Sequence, residues 1–308
     1  MDHGTAAGPL RVVVVHWNQP EDCVATVARL LGDDVPTRVT VVDNASRPEA
    51  LARLHDGLAG LSDAERARVE VLTQPSNTGF GPGANAGLQA FLDRPGDGAW
   101  VALCPHDVEP FAGCLRALLD AAAAEPLAGL MCADVGDGMV PVIDPYFGGM
   151  TVPAAGAPPA RGEWRWEDVD YPHGTLMLLR RAALAETGLF DERYFSYCEE
   201  ADLALRVRAR GWKVGLVRGA RVQNLHLGSS VALVDYLQTR NTLLLVQEMS
   251  GWYHAAIRAG ITLLQVARGV RDPSTRPLVF DARARLRGVR DFALRRFGPP
   301  PPDVLPAK

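Results

Sequence analysis

A chain of 308 residues, 47% apolar and 22% charged, has the composition of an ordinary soluble globular protein and is long enough for one large domain or two small ones. A net charge of only −4 gives no ground for a nucleic-acid partner, and five scattered cysteines without a Cys-x-x-Cys pair exclude a zinc ribbon or a disulfide framework. No signal peptide opens the chain and no run of 18 apolar residues interrupts it, so the expected setting is reducing and cytoplasmic.

Residues 1–9 read as a leader. Residues 11–15, Arg-Val-Val-Val-Val, are an unbroken β-branched run of the kind buried on both faces of a parallel sheet. His16-Trp17-Asn18-Gln19 ends it, and Pro20 opens an amphipathic helix to about Leu31. A second strand over 38–42 ends in Asp43-Asn44-Ala45-Ser46, and Pro48 starts the next helix. A third strand over 69–73 leads through Asn77-Thr78-Gly79-Phe80-Gly81 into a helix over 83–93. A fourth over 100–103 ends in Cys104-Pro105-His106-Asp107, before a helix over 112–124. Four such units predict an α/β half built on a parallel sheet with right-handed crossovers.

Polar residues stand at the carboxyl end of all four strands: Trp17 and Asn18, Asp43 and Asn44, Asn77 and Gly79, His106 and Asp107. Ligands of open α/β sheets bind along that edge. The first strand is not followed by Gly-x-Gly-x-x-Gly, and neither Lys213 nor Lys308 lies in a Gly-rich loop, so the dinucleotide and Walker modes are missing. A nucleotide held by side chains remains. Asp43 can accept from the N3–H of a uracil or thymine ring, Asn44 and Asn77 add polar contacts, and Gly79, Gly81 and Gly83 allow backbone amides close to a diphosphate.

Gly, Pro and aromatic residues dominate 135–166, where irregular strands and a hairpin around Gly148-Gly149 are expected. Residues 175–179 form another apolar run behind His173-Gly174. Residues 195–206, Phe-Ser-Tyr-Cys-Glu-Glu-Ala-Asp-Leu-Ala-Leu-Arg, carry Glu199, Glu200 and Asp202 into a helical pattern. Acidic residues suit a helix's first turn through its dipole alone, and equally suit a general base at a cleft mouth. Gly211 stops that helix and 213–217 is a strand. Three helices follow, over 234–249, 252–270 and 278–296, before a proline run at 299–302 expected to end ordered structure. Ten arginines oppose three aspartates between Arg258 and Arg296, a basic amphipathic tail that suits a solvated face or an anionic membrane surface.

In this order and spacing the motifs resemble those of the GT-A fold glycosyltransferases of family 2, above all their rhamnosyltransferase-like branch. Val-Val-Val-Val-His-Trp-Asn, Val41-Val42-Asp43-Asn44-Ala45-Ser46, the Gly/Asn-rich segment 77–87, the acidic block 188–206, His226 with Gly228 and Ser230, and Arg240-Asn241 carry the likeness over roughly residues 10–250. The resemblance implies a GT-A type, Rossmann-like α/β fold with a mixed, mainly parallel sheet between helices. It would comprise a nucleotide-binding half over 10–130, an acceptor and catalytic half over 131–232, a helical extension over 233–298 and a tail over 299–308.

The implied activity is inverting transfer from a UDP- or dTDP-sugar, a deoxysugar such as rhamnose among the options, to the hydroxyl of a glycan, lipid-linked or small-molecule acceptor, assisted by Mg²⁺ or Mn²⁺. A catalytically silent nucleotide-sugar-binding protein of the same fold is the alternative. The resemblance assigns Glu200 as base with Glu199 in reserve, and nucleotide contacts to Asn18, Asp43, Asn44, Asn77, Gly79, Gly83 and Asn85. Donor sugar or acceptor fall to Trp17, His106, His173, Gly174 and Asp202, the diphosphate to Arg240 and the metal to Asp107 and His226. Peripheral contact with the inner membrane face and a homo-oligomer are compatible with it. Two departures stand out: Pro105 replaces the family's usual Asp or Asn before the metal-binding Asp107, and Glu199-Glu200 replaces Glu-Asp.

Overall fold

β-Branched runs become the parallel strands expected of them. In this computed structural model, which describes residues 8–160, 162–225, 230–302 and 304, the chain forms β1 (Leu10–His16), α1 (Pro20–Leu31), β2 (Thr37–Asp43), α2 (Pro48–Ala59), α3 (Asp63–Arg66), β3 (Val69–Thr73), α4 (Phe80–Leu92) and β4 (Trp100–Pro105). The four strands lie parallel in the order β3–β2–β1–β4, each link made by a helical crossover. Alternation across the pleat sends Val12 and Val14 into one core and Val13 and Val15 into the other, so helices cover both faces. Pro20 and Pro48 sit in the first turns of α1 and α2, where their missing amides cost no hydrogen bond.

The sheet then turns mixed. β5 (Val108–Pro110) and α5 (Cys114–Ala124) lead to β6 (Ala128–Asp134), whose seven residues are all buried. β6 was not expected, because Ala-Gly-Leu-Met-Cys-Ala-Asp has no β-branched residue. β7 (Met139–Asp144) and β8 (Gly148–Pro153) form a separate hairpin that turns at 145–147, just ahead of the expected Gly148-Gly149. β9 (Arg165–Asp168), β10 (Met177–Arg180), α6 (Arg181–Thr187), α7 (Glu199–Ala209) and β11 (Lys213–Asn224) complete this part. β10 runs antiparallel between β4 and β6, β11 is parallel to β6, and β5 and β9 are antiparallel to β11.

α8 (Val231–Ser250), α9 (Trp252–Arg271) and α10 (Ala282–Ala293) close the chain. Leu243, Leu244, Leu245 and Val246 of α8 are all fully buried, against Tyr194 and Ala201 on one side and Ala255 and Phe292 on the other. Four consecutive apolar residues can be buried only in a helix covered all round. At about 1.5–3 kcal/mol for each fully buried aliphatic side chain, this run fastens the C-terminal helices to the acidic block. The proline run does not end the packing as expected: Val304 beyond it is buried among Phe195, Leu233, Tyr236 and Ala284.

Candidate active site

At the carboxyl edge of β1 and β2 the polar residues knit the loops to one another. His16 Nδ1 stands 2.9 Å from Asp43 Oδ1, both side chains fully buried, and the Ser46 amide donates to Asp43 Oδ2 at 3.2 Å. Burial alone would raise the Asp43 pKa, but the hydrogen bonds from His16 and Ser46 outweigh it and hold the carboxylate below its usual value. Asp43, expected as a free acceptor for a nucleobase, therefore has both oxygens engaged by the protein. Asn18, at φ +58°, donates its amide to Ser46 Oγ and accepts from the Arg47 amide, each at 2.8 Å. Trp17 beside it is 44% exposed.

Asn44 is equally committed. Its Nδ2 donates to Asn77 Oδ1 at 3.0 Å and to the Gly79 carbonyl at 2.7 Å, while its Oδ1 accepts from the Thr78 amide at 3.1 Å. The room left by the glycines of this segment is taken by protein. A Cβ on Gly79 would stand 1.7 Å from the Phe195 carbonyl oxygen, one on Gly81 2.7 Å from Glu199 Cγ, and one on Gly83 2.8 Å from Asn44 Nδ2. The closeness expected toward a diphosphate is thus closeness to the acidic block at Gly79 and Gly81 and to Asn44 at Gly83. Asn85, expected at the nucleotide, clasps Phe190 by both its amide (3.0 Å) and its carbonyl (2.9 Å).

These contacts deliver a strained segment. Phe195, Tyr197 and Cys198 have φ of +67°, +70° and +72°, a conformation that costs a non-glycine residue on the order of 1–3 kcal/mol and persists only when its surroundings impose it. The Arg240-Asn241 pair imposes it. Asn241 Nδ2 donates to the carbonyls of Tyr194, Ser196 and Tyr197 at 2.7, 2.7 and 2.9 Å. Arg240, fully buried, donates to the Tyr194 carbonyl (3.1 Å), Asn241 Oδ1 (3.0 Å) and the Tyr236 hydroxyl (3.4 Å). Arg240, expected at the diphosphate, thus spends these donors inside the protein. Replacing Asn241 by Ala strips the Ser196 and Tyr197 carbonyls of this donor and leaves the Tyr194 carbonyl to Arg240; we expect a loss of about 2–3 kcal/mol, read from the denaturant midpoint, together with lowered turnover.

The strain ends at Glu199 and Glu200, the first residues of α7. Glu199 is buried with Oε2 unpartnered, and its pKa is driven well above the usual value by burial first and the adjacent Glu200 charge second. Glu200 is also raised by burial, its own amide and a hydrogen bond from Glu199 pulling part of the way back. Burial therefore favours the protonated form of both carboxyls, and of Glu199 more strongly than of Glu200. Gly174 abuts it so closely that a Cβ there would be 2.2 Å from Glu200 Oε1. Asp202 pairs with Arg206 at i,i+4 (2.8 Å), and Arg206 also donates to the Thr187 and Leu189 carbonyls, so this carboxylate anchors the turn before the block.

Glu200 opens onto a cavity of about 440 Å³ walled by Phe147 and Gly149 of the hairpin, the 171–174 loop, and α8, α9 and α10. His173 lines it with Nε2 buried and unpartnered among the described residues, its pKa lowered by burial so that the ring is neutral. Asp107 lies across from this loop: its carbonyl accepts from Leu225, and the neighbouring Asn224 reaches Thr175 Oγ1 at 3.5 Å. The half-buried Asp107 carboxylate takes no hydrogen bond among the described residues, which suits a metal ligand. His106 has its ring nitrogens against the Val15 carbonyl (3.1 Å) and Gln19 Oε1, and burial lowers its pKa. His226 lies outside the described residues, and among those described no three metal-ligating side chains converge.

Sequence patterns could not reveal the left-handed run at 195–198, since none of those residues is glycine, nor that Arg240 and Asn241 face inward from α8. The inward-facing walls contributed by α9 and α10 were equally hidden.

A Rossmann-like sheet with mixed strands, carrying a buried acidic pair at its carboxyl edge, defines a GT-A type glycosyltransferase fold. The mannosyltransferase PcManGT from Pyrobaculum calidifontis, solved with GDP-Man and Mn²⁺, superposes with a TM-score of 0.61 over 95% of this chain and 89% of its own, at 11% identity. GalNAc-T7, solved with UDP, GalNAc and Mn²⁺, superposes with a TM-score of 0.59 over 94% of this chain and 55% of its own, at 14% identity. The profile of glycosyl transferase family 2 matches residues 11–188, and the chain belongs to that family. It is 28% identical over 283 residues to the N-acetylglucosaminyl-diphospho-decaprenol L-rhamnosyltransferase of two strains of Mycobacterium tuberculosis, covering 81% of this chain and 88% of the relative.

Proposed function

We propose that the chain moves a deoxyhexose such as rhamnose from a UDP- or dTDP-sugar to a hydroxyl of a lipid-diphosphate-linked acceptor, with inversion at the anomeric carbon. The position of Glu200 carries this reading: a carboxyl at the wall of a cavity, its pKa raised by burial, with the more strongly raised Glu199 beside it. The acceptor hydroxyl gives its proton to Glu200 as its oxygen bonds to the anomeric carbon, and the bond from that carbon to the nucleoside diphosphate breaks. The nucleotide lies along the edge marked by exposed Trp17 and by Asn77, with the knitted loops fixing its orientation. Asp107, with His226 from the resemblance, would hold a divalent cation, which supplies charge neutralisation at the leaving diphosphate. His173 and Gly174 border the reacting sugars.

No helix among the described residues is long and apolar enough to cross a membrane. The lipid-linked acceptor is supported by α9, which exposes Trp252, Tyr253, Leu263, Leu264 and Val270 beside the exposed Arg268 and Arg271, the composition of a helix that rests on an anionic lipid surface.

Turnover of a panel of nucleotide-sugars, with and without Mn²⁺, tests the reading. UDP or dTDP should raise the melting temperature in a Mn²⁺-dependent way, and Asp107→Asn should abolish the metal-dependent part. A protein that binds nucleotide but turns over no donor would instead be the silent scaffold, the alternative that Pro105 favours.

A further inference from the structure

The cavity beside Glu200 holds two arginines in very different situations. Arg285 grips Asp235 at 2.8 and 3.1 Å through Nε, and spends its remaining donors on Gln265 Oε1 (3.3 Å) and the Val279 carbonyl (2.9 Å). Its charge is answered inside the protein. Arg258 enters the same cavity from α9 and stacks 5.2 Å above the Phe147 ring, but among the described residues its guanidinium pairs with no carboxylate and makes no hydrogen bond. Burial, and then the charge of Arg285, depress its affinity for its proton, and the more distant charge of Asp144 offsets this only in part. The hairpin fixes its place: Tyr146 packs on His254 at 4.6 Å and Phe147 on Arg258, one helical turn further along α9.

A planar guanidinium with unspent donors, oriented by an aromatic ring in a cavity, matches the oxygens of a phosphate. We propose that Arg258 is an anion subsite on the acceptor side of this cavity and binds the phosphate or diphosphate ester carried by the acceptor while its sugar hydroxyl reaches Glu200. This rests on the acceptor reading above and names the group that recognises it. The donor diphosphate is the other source of the same chemistry, but Asp107 does not line this cavity.

Calorimetry with the full chain in EDTA separates the two, using inorganic pyrophosphate and geranyl diphosphate as probes and geraniol as the neutral control. Wild type should bind both anions and not geraniol. Arg258→Gln should weaken the anions on the order of 10- to 100-fold, the loss of charge-assisted hydrogen bonds, with Arg258→Lys in between. Asp107→Asn should leave this metal-free binding unchanged. Binding unaltered in Arg258→Gln, binding abolished in Asp107→Asn, or no binding by wild type would each overturn the proposal. Stabilisation of Arg258→Gln by UDP or dTDP with Mn²⁺ confirms its fold. Loss of that nucleotide response in wild type would defeat the transferase reading while leaving the anion subsite standing.

Discussion

Glu200→Gln should lower turnover on the order of 10²- to 10⁴-fold while nucleotide binding, read as the melting-temperature rise with UDP or dTDP and Mn²⁺, is kept. The amide preserves the shape of the side chain against Gly174 and removes only its capacity to take a proton. Glu199→Gln should behave differently. Burial raises the Glu199 pKa strongly and so favours its uncharged form, which a glutamine imitates in shape; the fold should hold and turnover should fall by less than about tenfold, the share of a group that tunes the base. Equal losses in the two variants would mean that the pair is not divided as the burial pattern indicates. The pH profile gives an independent reading. A base must be deprotonated, and burial raises the Glu200 pKa above the ordinary carboxyl value. Turnover should therefore be complete above that raised pKa and be lost as pH falls through it, at higher pH than an exposed glutamate would give.

Gly79→Ala should damage the fold by about 3–5 kcal/mol, from forcing a side chain into a glycine-only backbone conformation and into a packed contact. Gly79 has φ +99° and ψ −174°, and the added carbon would meet the Phe195 carbonyl at 1.7 Å, backbone against backbone. Neither side can yield cheaply: Asn44 holds the Gly79 carbonyl, and Asn241 grips the segment on both sides of Phe195. Gly113→Ala is the control. It has φ +79° with nothing within 4 Å of an added Cβ, so it should cost only the left-handed penalty of about 1–2 kcal/mol. Midpoints of thermal or denaturant unfolding would separate them, and a Gly79→Ala protein no less stable than Gly113→Ala would remove the contact between the Gly/Asn-rich segment and the acidic block.

The positions of β1 to β4 were legible because a β-branched run has few other uses, and Pro20 and Pro48 mark helix starts through the hydrogen bond they cannot make. The acidic pair, the Gly/Asn-rich segment and the Arg-Asn pair were legible as motifs by their order along the chain. Their roles were not, because a role depends on what a side chain meets. Asp43, Asn44, Asn85 and Arg240 have the chemistry of ligand contacts, yet each spends it on backbone or side chains dozens of residues away. Only the fold, by bringing residues 79–85, 190–198 and 240–241 to one place, sets three left-handed residues ahead of Glu199 and turns Glu200 to the cavity. The sequence by itself determined the parallel half-sheet and which carboxylates were available, since local periodicity and residue chemistry suffice for that. Burial decided how far the pKa of each is raised and which one faces the cavity, and burial belongs to the tertiary structure alone.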